Sequence, residues 1–116
     1  MQDSARDAAL LLDMLQAART VLRFTQSRTR EEYSNNDMLR AAVERAVEIV
    51  GEASRHISKS FTTQHPEIEW RRIRATRHIL AHDYGKIDDD VMWRIAIEHI
   101  PKLIDLLTPL VTPPPP

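Results

Sequence analysis

The chain has 116 residues, enough for one modest hydrophobic core and too few for two. Charged residues make up 28% and hydrophobic ones 42%, with only two glycines, Gly51 and Gly85, a balance that favours a helical protein and leaves no material for a glycine-rich phosphate loop. A formal net charge of -1 and the absence of cysteine exclude a strongly basic nucleic-acid binder, disulfides, thiol catalysis and thiolate metal sites, so any contact with nucleic acid must be local.

The amino terminus carries early acidic charges and only the short apolar run Ala8 to Leu12, unlike a signal peptide or a membrane span. A cytoplasmic protein with no membrane contact is expected. From Asp3 or Ser4 to about Thr25, Leu11, Leu15, Ala18, Leu22 and Thr25 recur at helical spacing, with Ala8 and Leu12 flanking and Asp7 in the first turn, which predicts a long amphipathic helix opened by a Ser/Asp cap. Gln26 to Asn36 is polar; a short helical turn around Arg30 to Tyr33 or a plain linker both fit it. A second helix is predicted from Asp37 to about Ser58, with Leu39, Val43, Ala46, Val50, Ala53 and Ile57 on one face. Gly51 inside it costs roughly 1 kcal/mol relative to alanine unless a close neighbour uses the missing side chain.

Ser60 to Pro66 is predicted to connect, with Pro66 at the first position of a third helix running from about Glu67 to His82. Gly85 offers a stop after it, and Asp88, Asp89 and Asp90 place a cap and acidic charge at the start of a fourth helix reaching about Leu107. Trp93, Ile97, Ile100, Ile104 and Leu107 form its expected inner face, and Pro101 predicts a kink or break. The expected fold is all-α: an antiparallel four-helix bundle over residues 1–110, with a fifth short helix as an option and a proline-rich, disordered tail at 111–116.

The chemically useful side chains are concentrated on the third helix. Trp70, Ile73, Arg77, Leu80 and Tyr84 share one stripe, so Arg77 stands where a hydrophobe would pack. A guanidinium there must be paired, or open onto a cleft or subunit interface, because an uncompensated buried charge costs several kcal/mol. One reading gives it a phosphate to hold; the other pairs it with Glu44, Glu48 or Glu52. Arg71, Arg74, His78 and His82 form a second stripe. His82 titrates near neutrality and suits general acid–base work, its alternative role being to bind the last carbonyls of the helix. Arg77 and His82 point about 140° apart on an unbroken helix, so a shared site requires the helix to end near His82 or a second copy of the motif to complete it. His78 and His82 have the spacing of a two-histidine metal pair, but Ile79 stands where a zinc protease needs glutamate and the nearby arginines repel a cation. No metal and no cofactor are expected. Arg71, Arg72 and Arg74 together offer a modest phosphate footprint.

Arg77, His82 and Tyr84 reproduce the R-x4-H-x-Y signature of HEPN-domain toxins of the HepT type, and the chain resembles that family more widely. Gly51-Glu52-Ala53, Pro66 to Trp70, His82-Asp83-Tyr84, Trp93 and Ile100 to Leu103 all resemble the family pattern, so the likeness spans the chain from the first helix to about Leu107. One departure is His78, where family members commonly have asparagine after the arginine. The resemblance implies a homodimeric, metal-independent endoribonuclease with two motif helices facing across a basic cleft. Arg77 and His82 would promote attack of a ribose 2′-hydroxyl on the adjacent phosphate, with His78, Asp83, Arg74 and Arg71 supporting or binding RNA. It also implies a nucleotidyltransferase antitoxin as partner, which in this type adenylylates the tyrosine, here Tyr84. A noncatalytic subunit that binds such a nucleotidyltransferase and its nucleotide or substrate is the alternative.

Overall fold

The computed structural model describes residues 2–82 and 87–111, and these form an all-α bundle. Helix α1 spans Gln2–Thr25, α2 Arg30–Ser34, α3 Asp37–Arg55, α4 Lys59–Gln64 and α5 Trp70–His82. The last arm is α6 (Asp89–Arg94), a π-helical turn (Ile95–His99), α7 (Ile100–Leu107) and a closing 3-10 turn (Thr108–Leu110). Helix α3 packs between α1 and α5, while α1 also meets α7 and the π turn.

The core follows the predicted apolar stripes closely on α3, where Leu39, Val43, Ala46, Val50 and Ala53 are all buried, as is Ile57 just beyond. On α1, Leu11, Leu15, Ala18 and Thr25 are buried as the spacing predicts, and Leu22 alone departs. Val21 is fully buried and Leu22 lies outward with Leu12, because Met14, Ala17, Ala18 and Val21 complete the face begun by Leu11. Helix α1 also begins at Gln2, so Asp3 and Ser4 lie within its first turn rather than before it.

Two boundaries differ from expectation. Ser58 does not end α3; it caps α4, accepting from Phe61 N–H, so the predicted connection contains a helix. Buried Asp7 on α1 fixes this start: Ser58 N–H donates to Asp7 Oδ1 at 2.9 Å and Ser58 Oγ to Oδ2 at 2.6 Å. Pro66 opens a turn instead of a helix, since Ile68 N–H returns to His65 C=O and drives the Ile68 side chain into the core, delaying α5 to Trp70. In the last arm, Asp88 caps α6 as expected, accepting from Asp90 and Val91 N–H. The disturbance expected from Pro101 is a π turn, in which Ile100 N–H reaches Ile95 C=O. The wider turn shifts the phase. Met92, Ala96, Ile100, Leu103 and Leu107 become the buried face, and Ile97 is exposed.

The optional short helix is α2. Thr29 and Glu32 form a capping box, and Arg30 and Ser34 tie the helix to Asp90 and Asp89. Its Tyr33 is fully buried, 5.5 Å from the Trp93 ring centroid. Gly85 and the Thr112 to Pro116 part of the tail lie outside the described residues.

Candidate active site on helix α5

Helix α5 places Trp70 and Leu80 in the core and Ile73 and Arg77 half-buried between them, the stripe that its spacing predicts. Arg77 fits there because of Gly51. A Cβ on Gly51 would lie 2.2 Å from Arg77 Cβ, 3.0 Å from its Cγ and 3.1 Å from the Ile73 carbonyl oxygen. The helices α3 and α5 therefore approach at a point where only hydrogen fits, and the helical cost of glycine is offset by the close crossing.

The neighbouring residue on α3 supplies the counter-charge. Glu52 Oε2 lies 2.8 Å from Arg77 Nε, with side-chain exposures of 43% and 23%. The N–H is not aligned with that oxygen, so Nε is buried and charge-paired but lacks a well-directed acceptor among the described residues. Of the three carboxylates that the sequence offers as partners, Glu52 is the one the fold selects. A pair this open to solvent adds little to stability, because water screens it. Its larger effect is on orientation: it occupies the Nε side of the guanidinium.

Glu52 is held in turn by its own helix. His56 Nε2 lies 3.2 Å from Oε1, and Arg55 Nη1 lies 3.3 Å from Oε2. The hydrogen bond with His56, followed by the charges of Arg77 and Arg55, keeps the Glu52 carboxyl below its ordinary value and so ionised at neutral pH. Neither Arg55 nor His56 stands out in the sequence, where an i, i+3, i+4 group on a helix reads as an ordinary solvated face.

The second stripe is divided in its use. Arg74 turns to α3, where Nε and Nη2 donate to the Ser54 carbonyl at 3.3 and 2.9 Å, fastening α5 to the end of that helix. Arg72 lies 3.3 Å from Glu69 and 3.4 Å from His99 Nδ1. Arg71 and His78 are exposed. The His82 backbone is the last described turn of α5; its imidazole, Asp83 and Tyr84 lie outside the described side chains. Among the described residues, no group of three or more His, Cys, Asp or Glu is placed to hold a metal ion. An apolar slot of about 80 Å³ runs beside α5, lined by Val50, Ile73, Thr76 and Leu103, with Arg72 and Lys102 among its polar residues. No helix among the described residues is long and apolar enough to cross a membrane.

A helical bundle with an arginine seated on the packing face of one helix and a histidine five residues on belongs to the HEPN-like class of all-α domains. Residues 14–110 match the family described as Ribonuclease HepT-like. The chain is 43% identical over 101 residues to "Putative RNase MJ1380" of Methanocaldococcus jannaschii, covering 86% of this chain and 93% of that one. It is 38% identical over 93 residues to "Probable ribonuclease HepT" of Thermococcus cleftensis, covering 80% and 84%. It also shares 32% identity over 95 residues with "Putative RNase MJ1216" of M. jannaschii, covering 82% and 78%. No solved structure is significantly similar. The chain belongs to the HepT-like ribonuclease family, and its enzyme class is endoribonuclease.

Proposed function

We propose that this chain is the toxin of a two-gene toxin–antitoxin module, a cytoplasmic homodimer that cuts RNA without a metal and is neutralised by a nucleotidyltransferase antitoxin. The observation that carries the reading is Arg77: a guanidinium on a packing face, seated against Gly51, paired with Glu52 on one side and five residues before His82 on one helix.

In this reading the outer guanidinium nitrogens of Arg77 receive the non-bridging phosphate oxygens and stabilise the extra negative charge of the pentacoordinate state. His82 accepts the proton of the ribose 2′-hydroxyl as its oxygen bonds to phosphorus; the bond to the 5′-oxygen breaks, that oxygen takes a proton from water, and His82 returns its own to solvent. The products are a 2′,3′-cyclic phosphate and a 5′-hydroxyl end. Exposed Arg71 and His78 supply RNA contacts, with Asp83 in support, while the donors of Arg74 to Ser54 give it a positioning share as well. A second copy of α5 across a cleft answers the angular separation of Arg77 and His82. Adenylylation of Tyr84 would add a bulky anion beside the cleft and repel RNA.

Expression of wild type, Arg77→Ala and His82→Ala in a bacterial host tests this reading. Wild type should arrest growth, and both variants should be folded, dimeric and harmless. Toxicity retained by both would remove the catalytic assignment. Co-expression with a nucleotidyltransferase encoded beside the gene should restore growth and add one adenylyl mass to wild type but none to Tyr84→Phe; a mass gain on that variant would move the modification elsewhere. If wild type is harmless and binds the nucleotidyltransferase as well as both variants do, the chain is its noncatalytic partner subunit instead.

A further inference from the structure

We infer that Glu52 is a positioning residue of the ribonuclease site, fixing which edge of the Arg77 guanidinium meets the phosphate. The inference rests on the ribonuclease reading above and specifies how its arginine is held.

A guanidinium can grip an anion through two kinds of edge, either Nε with one terminal nitrogen or the two terminal nitrogens together. In this chain the choice is made by the α3–α5 crossing. Gly51 lets the Cβ and Cγ of Arg77 lie directly on α3, which fixes the root of the side chain. The next residue, Glu52, then lies 2.8 Å from Nε, and Nε is buried. The Nε side therefore faces α3 and is closed to substrate. What can reach solvent lies on the terminal side, since the side chain as a whole is 23% exposed. Phosphate is met end-on, by Nη1 and Nη2.

Glu52 is suited to holding an arginine rather than cancelling it. Both of its oxygens have a partner at the end of α3, Oε1 in His56 and Oε2 in Arg55, so the carboxylate is steadied by contacts besides Arg77. Arg55 also leaves the group of Glu52, Arg55 and Arg77 with a net positive charge, which an incoming phosphate still finds attractive. A lysine at position 77 has no second edge and cannot serve both partners.

The test measures kcat and KM separately for cleavage of a short RNA by wild type, Glu52→Gln and Glu52→Ala, with thermal unfolding of each protein. Misplacing a group in the transition state by about 1 Å costs up to about 100-fold. Glu52→Ala should therefore lose about 10- to 100-fold in kcat with KM changed far less. Glu52→Gln, which keeps an oxygen near Nε, should fall between it and wild type, and it remains informative if the alanine variant does not fold. In an Arg77→Lys background, which has no Nε edge to hold, Glu52→Ala should change the residual rate by less than about twofold. An undiminished kcat in both Glu52 variants, or an equal loss in the Arg77→Lys background, would overturn the positioning role while leaving the ribonuclease reading intact. Failure of wild type to cleave RNA would remove that reading, and this inference with it.

Discussion

Tyr33 shows how a buried hydroxyl can work against the fold that contains it. Its ring is fully buried, its hydroxyl has no hydrogen-bond partner among the described residues, and burial together with the charges of Glu44 and Asp89 pushes its ionisation far above the usual tyrosine value. Removing that oxygen removes an unmet desolvation cost, so Tyr33→Phe should leave stability unchanged or raise it by up to about 1–2 kcal/mol in urea unfolding. A loss of 1 kcal/mol or more would mean the hydroxyl has a bound partner, such as an ordered water. At Gly51 the opposite is expected: Gly51→Ala places a methyl 2.2 Å from Arg77 Cβ and should cost about 1–3 kcal/mol while displacing the arginine. Glu52 gives a pH dependence with a definite sign. Its carboxyl is held below its ordinary 4.5, chiefly by His56, so its contribution is full above that value and is lost as pH falls through the lowered one. Glu52→Gln should therefore flatten the acid limb of a melting-temperature profile without abolishing it, because Glu67 is also lowered, by backbone hydrogen bonding and by His65. An unchanged acid limb would contradict this. At this scale the sequence revealed the anomaly but not its resolution. A charge in the apolar stripe of α5 identifies Arg77, whereas choosing Glu52 over Glu44 and Glu48 needs the register of α3 against α5, which one helix pattern cannot supply.

At the scale of elements, periodicity served where one face is apolar throughout. Helix α3 shows its buried residues in order because its polar face is unambiguous. Helix α4 is hidden because Lys59–Gln64 has no buried residue of its own and begins on a tertiary contact, Ser58 with Asp7, made 51 residues away in the chain. That contact predicts a stability effect well beyond an ordinary first-turn acid. Asp7→Ala should cost about 1.5–3 kcal/mol in denaturant, since a charged hydrogen bond is lost and Ser58 N–H is left half-buried without its acceptor. A change under 0.5 kcal/mol would show that α4 is set by its own cap alone. The last arm departs from its apolar pattern for a different reason. Trp93 and Ile97 fit a regular helix, but the π turn before Pro101 advances the phase, and Met92 and Ala96 take the inner positions. A pattern search at a constant period has no means of detecting one wide turn.

For the molecule as a whole, the all-α bundle and the HepT-like family were both legible in the chain, because four long segments and one compact motif each point the same way. The basic residues of α5 stand out in the sequence; how the fold uses each of them does not. Arg74, one of the basic group, is engaged with the Ser54 carbonyl, and the network of Glu52, Arg55 and His56 that supports Arg77 has no sequence signature. The result is a scaffold in which α3 sets the position of the arginine and α5 carries both arginine and histidine. The most direct test of that account is cleavage of RNA by the purified protein in excess chelator, comparing wild type with His82→Ala and mapping the product ends. Wild type alone should cut, leaving 2′,3′-cyclic phosphate and 5′-hydroxyl ends. Equal cutting by His82→Ala, loss of wild-type cutting on chelation, or 5′-phosphate ends would each contradict it.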